Sequence, residues 1–274
     1  MLLVWPDPPL WLMRGAGAAG GGLVFGWLAW RLRFLDASGA VAGGLFGACL
    51  LGLGGTAWVV PALVFFVTSS LLSKVGRRRK AAPARRSAKG DVRDAGQVLA
   101  NGAVAWGLLL WAALDPSPRW YAGFVGALAA AAADTWATEV GTLLGRQPRL
   151  ITSGRRVPPG TSGAVSWPGT LAALSGAGAV ALSAWPFAGG PLPGCAALAG
   201  FLAAFVDSLA GALFQARYRD PLTGHETERA GAGGVAYPLL RGHRWLDNDR
   251  VNLLGTFFGA ALAMACFPAA GFGS

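Results

Sequence analysis

Three carboxylates lie inside runs that are otherwise almost wholly apolar. Asp134 and Glu139 occur in Ala131-Ala132-Ala133-Asp134-Thr135-Trp136-Ala137-Thr138-Glu139-Val140-Gly141, and Asp207 occurs in Phe205-Val206-Asp207-Ser208-Leu209-Ala210-Gly211. An ionisable side chain is costly in hydrocarbon, so each of the three needs a reason to be there. Such acids hold Mg²⁺ with phosphate oxygens completing its shell, relay protons, or pair with arginines, and the residues alone leave all three chemistries open. At about 100° per residue, five positions make roughly 500°, which puts Asp134 and Glu139 about 140° apart around a regular helix. Asp134 with Thr138, or Thr135 with Glu139, shares a narrow stripe. Both carboxylates serve one site only if the helix breaks or a cavity wraps around it.

Other polar groups flank these acids. Asp94, Gln97 and Asn101 follow Arg93 at spacings of three and four, one helical stripe leading into an apolar run. Capping explains Asp94, but not Gln97 and Asn101. The loop Pro158-Pro159-Gly160-Thr161-Ser162-Gly163 precedes another apolar run, where backbone N–H groups and a helix N-terminus can cradle phosphate, although the spacing of a Walker loop is absent. Asp247-Asn248-Asp249-Arg250-Val251-Asn252 offers a further polar entrance, with Asn248 and Asn252 four apart.

The elements that must carry these residues are membrane spans. Only 13% of the 274 residues are charged and 54% are hydrophobic, with a mean hydropathy of +0.47, far too little charge for a soluble surface. About eight apolar segments qualify as spans, at about 10–30, 37–54, 56–73, 96–113, 119–143, 164–186, 194–215 and 251–270. The second and third, joined at Gly54-Gly55, form either a tight hairpin or a partly re-entrant pair. The fold class is therefore an all-α, polytopic helical bundle of 6–8 spans, a single transmembrane domain over 1–274 with basic loops at 74–95 and 216–250. The 42 glycines suit close helix packing in lipid. No internal repeat is evident.

Of the 23 basic residues, all but Arg14 and Arg119 fall in alternate loops. By the positive-inside rule those loops are cytoplasmic, both termini lie on the other side of the cell membrane, and all three acids sit toward the cytoplasmic ends of their spans. The net charge of +10 thus reflects topology and contact with anionic membrane lipid, above all for Arg77–Lys80, rather than nucleic acid. The N-terminus lacks a basic start and a cleavage pattern, so no segment is expected to be removed. Cys49, Cys195 and Cys266 read as small packing residues without disulfide or metal roles, and His225 and His243 as loop histidines. Oligomeric state is not written in the sequence.

Several of these runs together resemble a known family. Ala133-Asp134-Thr135-Trp136-Ala137-Thr138-Glu139-Val140-Gly141, Arg146-Gln147-Pro148-Arg149-Leu150-Ile151-Thr152 and Val157–Gly163 belong to the pattern. So do Arg93-Asp94-x-x-Gln97-Val98-x-Ala100-Asn101-Gly102 and Asp207-Ser208-x-x-Gly211. Over about residues 60–265 the chain resembles a widespread membrane-protein family, long labelled a domain of unknown function, that includes the plant phytyl-phosphate kinase. More distantly it is similar to polyprenol kinases and CTP-dependent cytidylyltransferases. The resemblance implies transfer of a phosphoryl group from a nucleoside triphosphate, CTP or another, to an isoprenyl monophosphate such as phytyl phosphate, with Mg²⁺. On that basis Asp134, Glu139 and Asp207 are the metal-linked catalytic acids. Lys74, Arg93 and Gly160, Thr161, Ser162 and Gly163 are phosphate contacts, and Asp94, Gln97, Asn101, Thr135, Asn248 and Asn252 complete the nucleotide and substrate site. The alternative, a proton- or cation-coupled transporter or lipid-moving protein using the same acids, needs polar groups continuing to the outer face, and the outer halves of the spans carry almost none. A structural scaffold leaves the recessed acids unexplained.

Overall fold

The computed structural model describes residues 11–76, 90, 92–145 and 147–267. The expectations for the two termini, for Arg77–Lys80 and the rest of the basic loop between Arg77 and Lys89, and for Arg146 lie outside the described residues. Eight long helical segments form one bundle: α1 (Trp11–Arg31), α2 (Ala37–Cys49), α3 (Thr56–Lys74), α4 (Ala95–Leu114), α5 (Pro118–Leu144), α6 (Trp167–Ser183), α8 (Leu192–Leu213) and α9 (Asn248–Cys266), with a single short turn, α7 (Trp185–Ala188), between α6 and α8. Among the described residues, five segments are long and apolar enough to cross a membrane: Ala37–Gly54, Thr56–Lys74, Ala95–Leu114, Trp167–Ala188 and Leu192–Leu213. The helical bundle expected from the sequence is what forms.

The ambiguous second and third spans resolve into two full helices. α2 continues as a π-helical turn over Leu50–Gly54, and Gly55, at φ 65°, reverses the chain into α3. Only glycine enters that backbone region freely. Together Ala37–Gly54 make about 27 Å at 1.5 Å per residue, close to the hydrocarbon thickness.

α5 is the axis of the bundle. Every residue from Tyr121 to Ala133 is buried, and α3, α4, α6, α8 and α9 all pack on it. Its run of alanines lets neighbours approach backbone to backbone. A Cβ on Gly176 of α6 would lie 2.9 Å from Ala132 O, one on Gly200 of α8 2.6 Å from Ala129 C, and one on Gly259 of α9 2.8 Å from Gly126 O. In lipid, where apolar burial gives no advantage, this small-residue packing holds helices together. Pro61 inside α3 cannot donate to Ala57 O, and the buried Tyr121 hydroxyl donates to that carbonyl instead, at 2.8 Å.

Two features depart from the sequence reading. Cys195, in the first turn of α8, and Cys266, the last residue of α9, form a disulfide with Cα atoms 5.6 Å apart; only Cys49 is free. They are 71 residues apart in sequence, and only the antiparallel packing of α8 and α9 brings them together, at the bundle end opposite the acids. The loop 216–250, read from the sequence only as a large loop, carries strands. It contains a three-stranded antiparallel sheet of β3 (Arg217–Arg219), β4 (Glu226–Thr227) and β7 (Leu239–Arg241), in the order β4-β3-β7, and a hairpin of β5 (Gly231–Ala232) and β6 (Val235–Ala236). A further pair, β1 (Arg149–Leu150) and β2 (Ala164–Val165), frames the loop between α5 and α6.

Candidate functional site

The polar ends of α3, α4, α5, α6, α8 and α9 surround a cavity of about 660 Å³. Three of these helices, α4, α6 and α9, begin at it with a side-chain cap. Asp94 caps α4 in a reciprocal box: its Oδ1 accepts from Gln97 N–H at 2.8 Å, and its own N–H donates to Gln97 Oε1 at 3.2 Å. One turn on, Asn101 Nδ2 donates to Gln97 O at 2.9 Å. Ser166 caps α6, accepting from Gly169 N–H, and Asp247 caps α9, accepting from Arg250 N–H at 3.0 Å. These caps fix where each helix begins and so which side chains reach the cavity.

The helix α5 runs unbroken through the site, so the cavity does the wrapping. Asp134, Thr135, Ala137, Thr138, Glu139, Gly141 and Thr142 all line it, which at about 100° per residue spans roughly 200° of the helix surface. Asp134 and Asp207 face each other within hydrogen-bonding range across the α5–α8 contact. Asp207 Oδ1 is buried and has no hydrogen-bond partner among the described residues. Glu139 lines the same cavity, with its charge felt by both Arg93 and Asp134, but no three acids, histidines or cysteines group as a metal cage among the described residues. Asp134 and Asp207 adjoin, and Glu139 lies about 140° further round α5 on the wall of the same cavity. The donor set suits Mg²⁺, which takes one or two carboxylates and leaves its other positions to water and phosphate, better than a cation needing an all-protein cage.

The loop from Pro158 to Gly163 lies along one wall. Gly160 and Gly163 adopt φ 79° and 77°, and a Cβ on Gly163 would sit 2.4 Å from Ala212 Cβ and 2.7 Å from Ser208 O. The loop does not run straight into a helix: β2 intervenes, and α6 starts only at Trp167. Its hydroxyls are engaged, Thr161 Oγ1 donating to Pro158 O at 2.7 Å and Ser162 Oγ donating to Gln215 Oε1, and the Thr161 N–H also donates to Pro158 O, which leaves the amides of Gly160, Ser162 and Gly163 as what the loop can offer a phosphate.

Behind the loop stands a chain of charge, buried at Arg217 and partly exposed at Glu226 and Arg241. Gln215 Nε2 donates to Glu228 Oε1 at 3.0 Å. Arg217, 1% exposed, bridges Glu228 at 2.7 Å and Glu226 at 2.8 Å, and Arg241 Nη2 reaches Glu226 at 2.9 Å. Burial alone would raise the Glu226 carboxyl, but the Arg217 hydrogen bond and charge, with those of Arg241, hold it below the usual carboxylate range.

Of the residues expected from the sequence, Arg93, Gln97, Asn101, Asp134, Thr135, Glu139, Gly160–Gly163, Asp207, Asn248 and Asn252 line this one cavity. Lys74 and Asp94 do not. Lys74 Nζ turns away at the end of α3 to Leu32 O and lies 3.9 Å over the Phe34 ring, because its long side chain reaches the α1–α2 connection rather than the bundle interior. Asp94 is used by its cap. Ser73, Thr138, Thr142, Ser166, Ser208, Glu228 and Arg229 also line the cavity, though the sequence alone assigns none of them a role. Thr138 and Thr142 were legible as the Asp134 stripe, and Ser208 as its neighbour to Asp207. Glu228 and Arg229 arrive by the fold of the large loop, for which no local signal exists.

The family profile described as integral membrane protein DUF92 matches residues 21–260. The chain belongs to this family. Within it, the chain is similar to the uncharacterized membrane protein MJ0933 of Methanocaldococcus jannaschii, 31% identical over 240 residues covering 86% of this chain and 87% of the relative. It is similar to Protein PGR of Arabidopsis thaliana, 31% identical over 256 residues covering 82% and 86%. It is also similar to the uncharacterized membrane protein sll0875 of Synechocystis, 29% identical over 209 residues covering 74% and 70%. No solved structure matches the chain. This DUF92 member is an integral, multi-pass membrane protein of the family that its motifs pointed to.

Proposed function

We propose that this DUF92 member is a membrane prenyl-phosphate kinase, transferring a phosphoryl group from a nucleoside triphosphate to an isoprenyl monophosphate. The observation that carries the reading is the recessed Asp134–Asp207 pair opening on the same cavity as Arg93 and the Pro158–Gly163 loop. Phosphoryl transfer is mostly positioning and charge compensation, and these are the groups it requires. An oxygen of the acceptor phosphate bonds to the donor's γ-phosphorus as the bond from that phosphorus to the β–γ bridging oxygen breaks. The nucleoside diphosphate leaves and the acceptor becomes a diphosphate. Mg²⁺, when bound, offsets phosphate charge and clamps the oxygens. Asp134 and Asp207 would hold it, with Glu139 on the wall of the same cavity. Arg93 and the amides of Gly160, Ser162 and Gly163 bind phosphate oxygens, Asn248 and Asn252 orient donor or acceptor, and Glu139 beside Arg93 sets that guanidinium's position. The polar end then faces the cytoplasm, where nucleoside triphosphates are.

The test is direct. Purified protein is incubated with Mg²⁺, each nucleoside triphosphate, and phytyl, geranylgeranyl or farnesyl monophosphate, and diphosphate product is measured by mass spectrometry. Turnover with one pair, reduced about 100-fold or more by Asp134→Asn or Asp207→Asn, is the expected result. Absence of diphosphate with every pair ends the assignment.

A further inference from the structure

A second cavity, of about 310 Å³, lies among α1, α2, α3 and α4. Its walls are Phe25, Phe46, Leu50, Phe65, Phe66 and similarly apolar residues, and its only polar side chains are Arg93, Gln97 and Asn101. Those three are also walls of the polar cavity, so the two spaces meet across one face of α4. Along α3 the apolar cavity reaches from Phe66 back to Val59, and along α1 from Leu28 to Gly21, roughly 11 Å in each case at 1.5 Å per residue. It therefore follows the bundle lengthwise from the level of the polar site into the apolar interior. Gln97 and Asn101 are tied into the α4 cap. Arg93 is the cation at the junction, and its side-chain hydrogen bond to Ser70 Oγ is long, at 3.4 Å.

We propose that this apolar cavity holds the hydrocarbon tail of the phosphate-bearing acceptor, with Arg93 binding the phosphate where tail and polar site meet. The inference rests on the phosphotransferase reading and adds where its lipid substrate lies. The chemistry of the walls selects the occupant. A space apolar along its length with one cation at one end fits an amphiphile with an anionic head, since the head gains the guanidinium and the tail leaves water. The shared walls then direct the head toward Asp134 and Asp207 and not out to solvent.

The experiment uses the full chain in nanodiscs without nucleotide, so it reads binding independently of turnover. A long-chain monophosphate with a diazirine on its tail is photolysed and the labelled residues are mapped by mass spectrometry. Labels at Phe25, Phe46, Leu50 or Phe66, competed by unlabelled long-chain monophosphate but not by a five-carbon monophosphate or by phosphatidylcholine, are expected. Gly102→Leu should cut that labelling at least tenfold, because a Cβ at Gly102 meets the Phe46 ring at an ordinary 3.5 Å and the rest of the side chain fills the cavity. Ala62→Leu, on the opposite wall, repeats the test should Gly102→Leu fail to fold. Labels confined to lipid-facing residues such as Leu23 and Trp27, equal competition by phosphatidylcholine, or full labelling in both filled variants overturns the proposal. Tail labelling without turnover defeats only the kinase reading, and turnover with labels elsewhere defeats only this one.

Discussion

Gly163→Ala tests whether the seating of the Pro158–Gly163 loop on α8 builds the cavity wall. The residue has φ 77°, and an L side chain there costs about 1–2 kcal/mol. Its new Cβ would stand 2.4 Å from Ala212 Cβ and 2.7 Å from Ser208 O, against carbon contacts of about 3.5–4.0 Å. The loop must therefore withdraw by about 1 Å. A shift of that size in a group positioning a substrate costs about 100-fold in turnover. The backbone strain alone lowers the thermal midpoint by about 2–8 °C. The assays are thermal unfolding in detergent, nucleotide binding by the intact protein, and turnover. Adding Ala212→Gly removes the 2.4 Å contact but keeps the left-handed φ and the Ser208 approach, so it should restore part of the loss and not all of it. Wild-type midpoint, binding and turnover in Gly163→Ala would refute the reasoning, because nothing would then depend on how closely the loop meets α8.

Tyr121→Phe should destabilise the bundle by about 1–3 kcal/mol, seen as a lower thermal midpoint, since Ala57 O, already deprived of a donor by Pro61, loses the Tyr121 hydroxyl. Acidification should loosen the large loop. Glu226 is held low in the folded state, so its contribution is present above the unfolded carboxylate value of about 4.3 and is lost as pH falls through the lower folded value, measurable as proteolysis of 216–250 that accelerates more steeply on acidification in wild type than in Glu226→Gln, whose own rate is higher throughout but less dependent on pH. Without reductant only Cys49 should react with maleimide under denaturing conditions. After reduction, Cys195 and Cys266 should become accessible to an impermeant maleimide from the outer side of intact cells, and labelling only from the cytoplasmic side would reverse the orientation argued from the arginines.

Much of this protein is local and was therefore legible in its sequence. Apolar run length determined the helices, Asp94 and Asp247 marked where two of them begin, and the cost of charge in hydrocarbon marked Asp134, Glu139 and Asp207. What depends on the packing of distant segments was decided only in three dimensions. Spacing could say that Asp134 and Glu139 diverge, but not that the cavity follows α5 around while only Asp207 meets Asp134. Lys74 sits at a span end like Arg93, yet the packing of α3 on the α1–α2 connection turns it out of the site. Cys195 and Cys266 pair because α8 and α9 run antiparallel, and Glu228 reaches the cavity because Gln215 and Arg217 hold it there. A side chain's type and its helix are written in nearest neighbours along the chain. Its partners are set by where six helix ends converge, and no local pattern encodes that convergence.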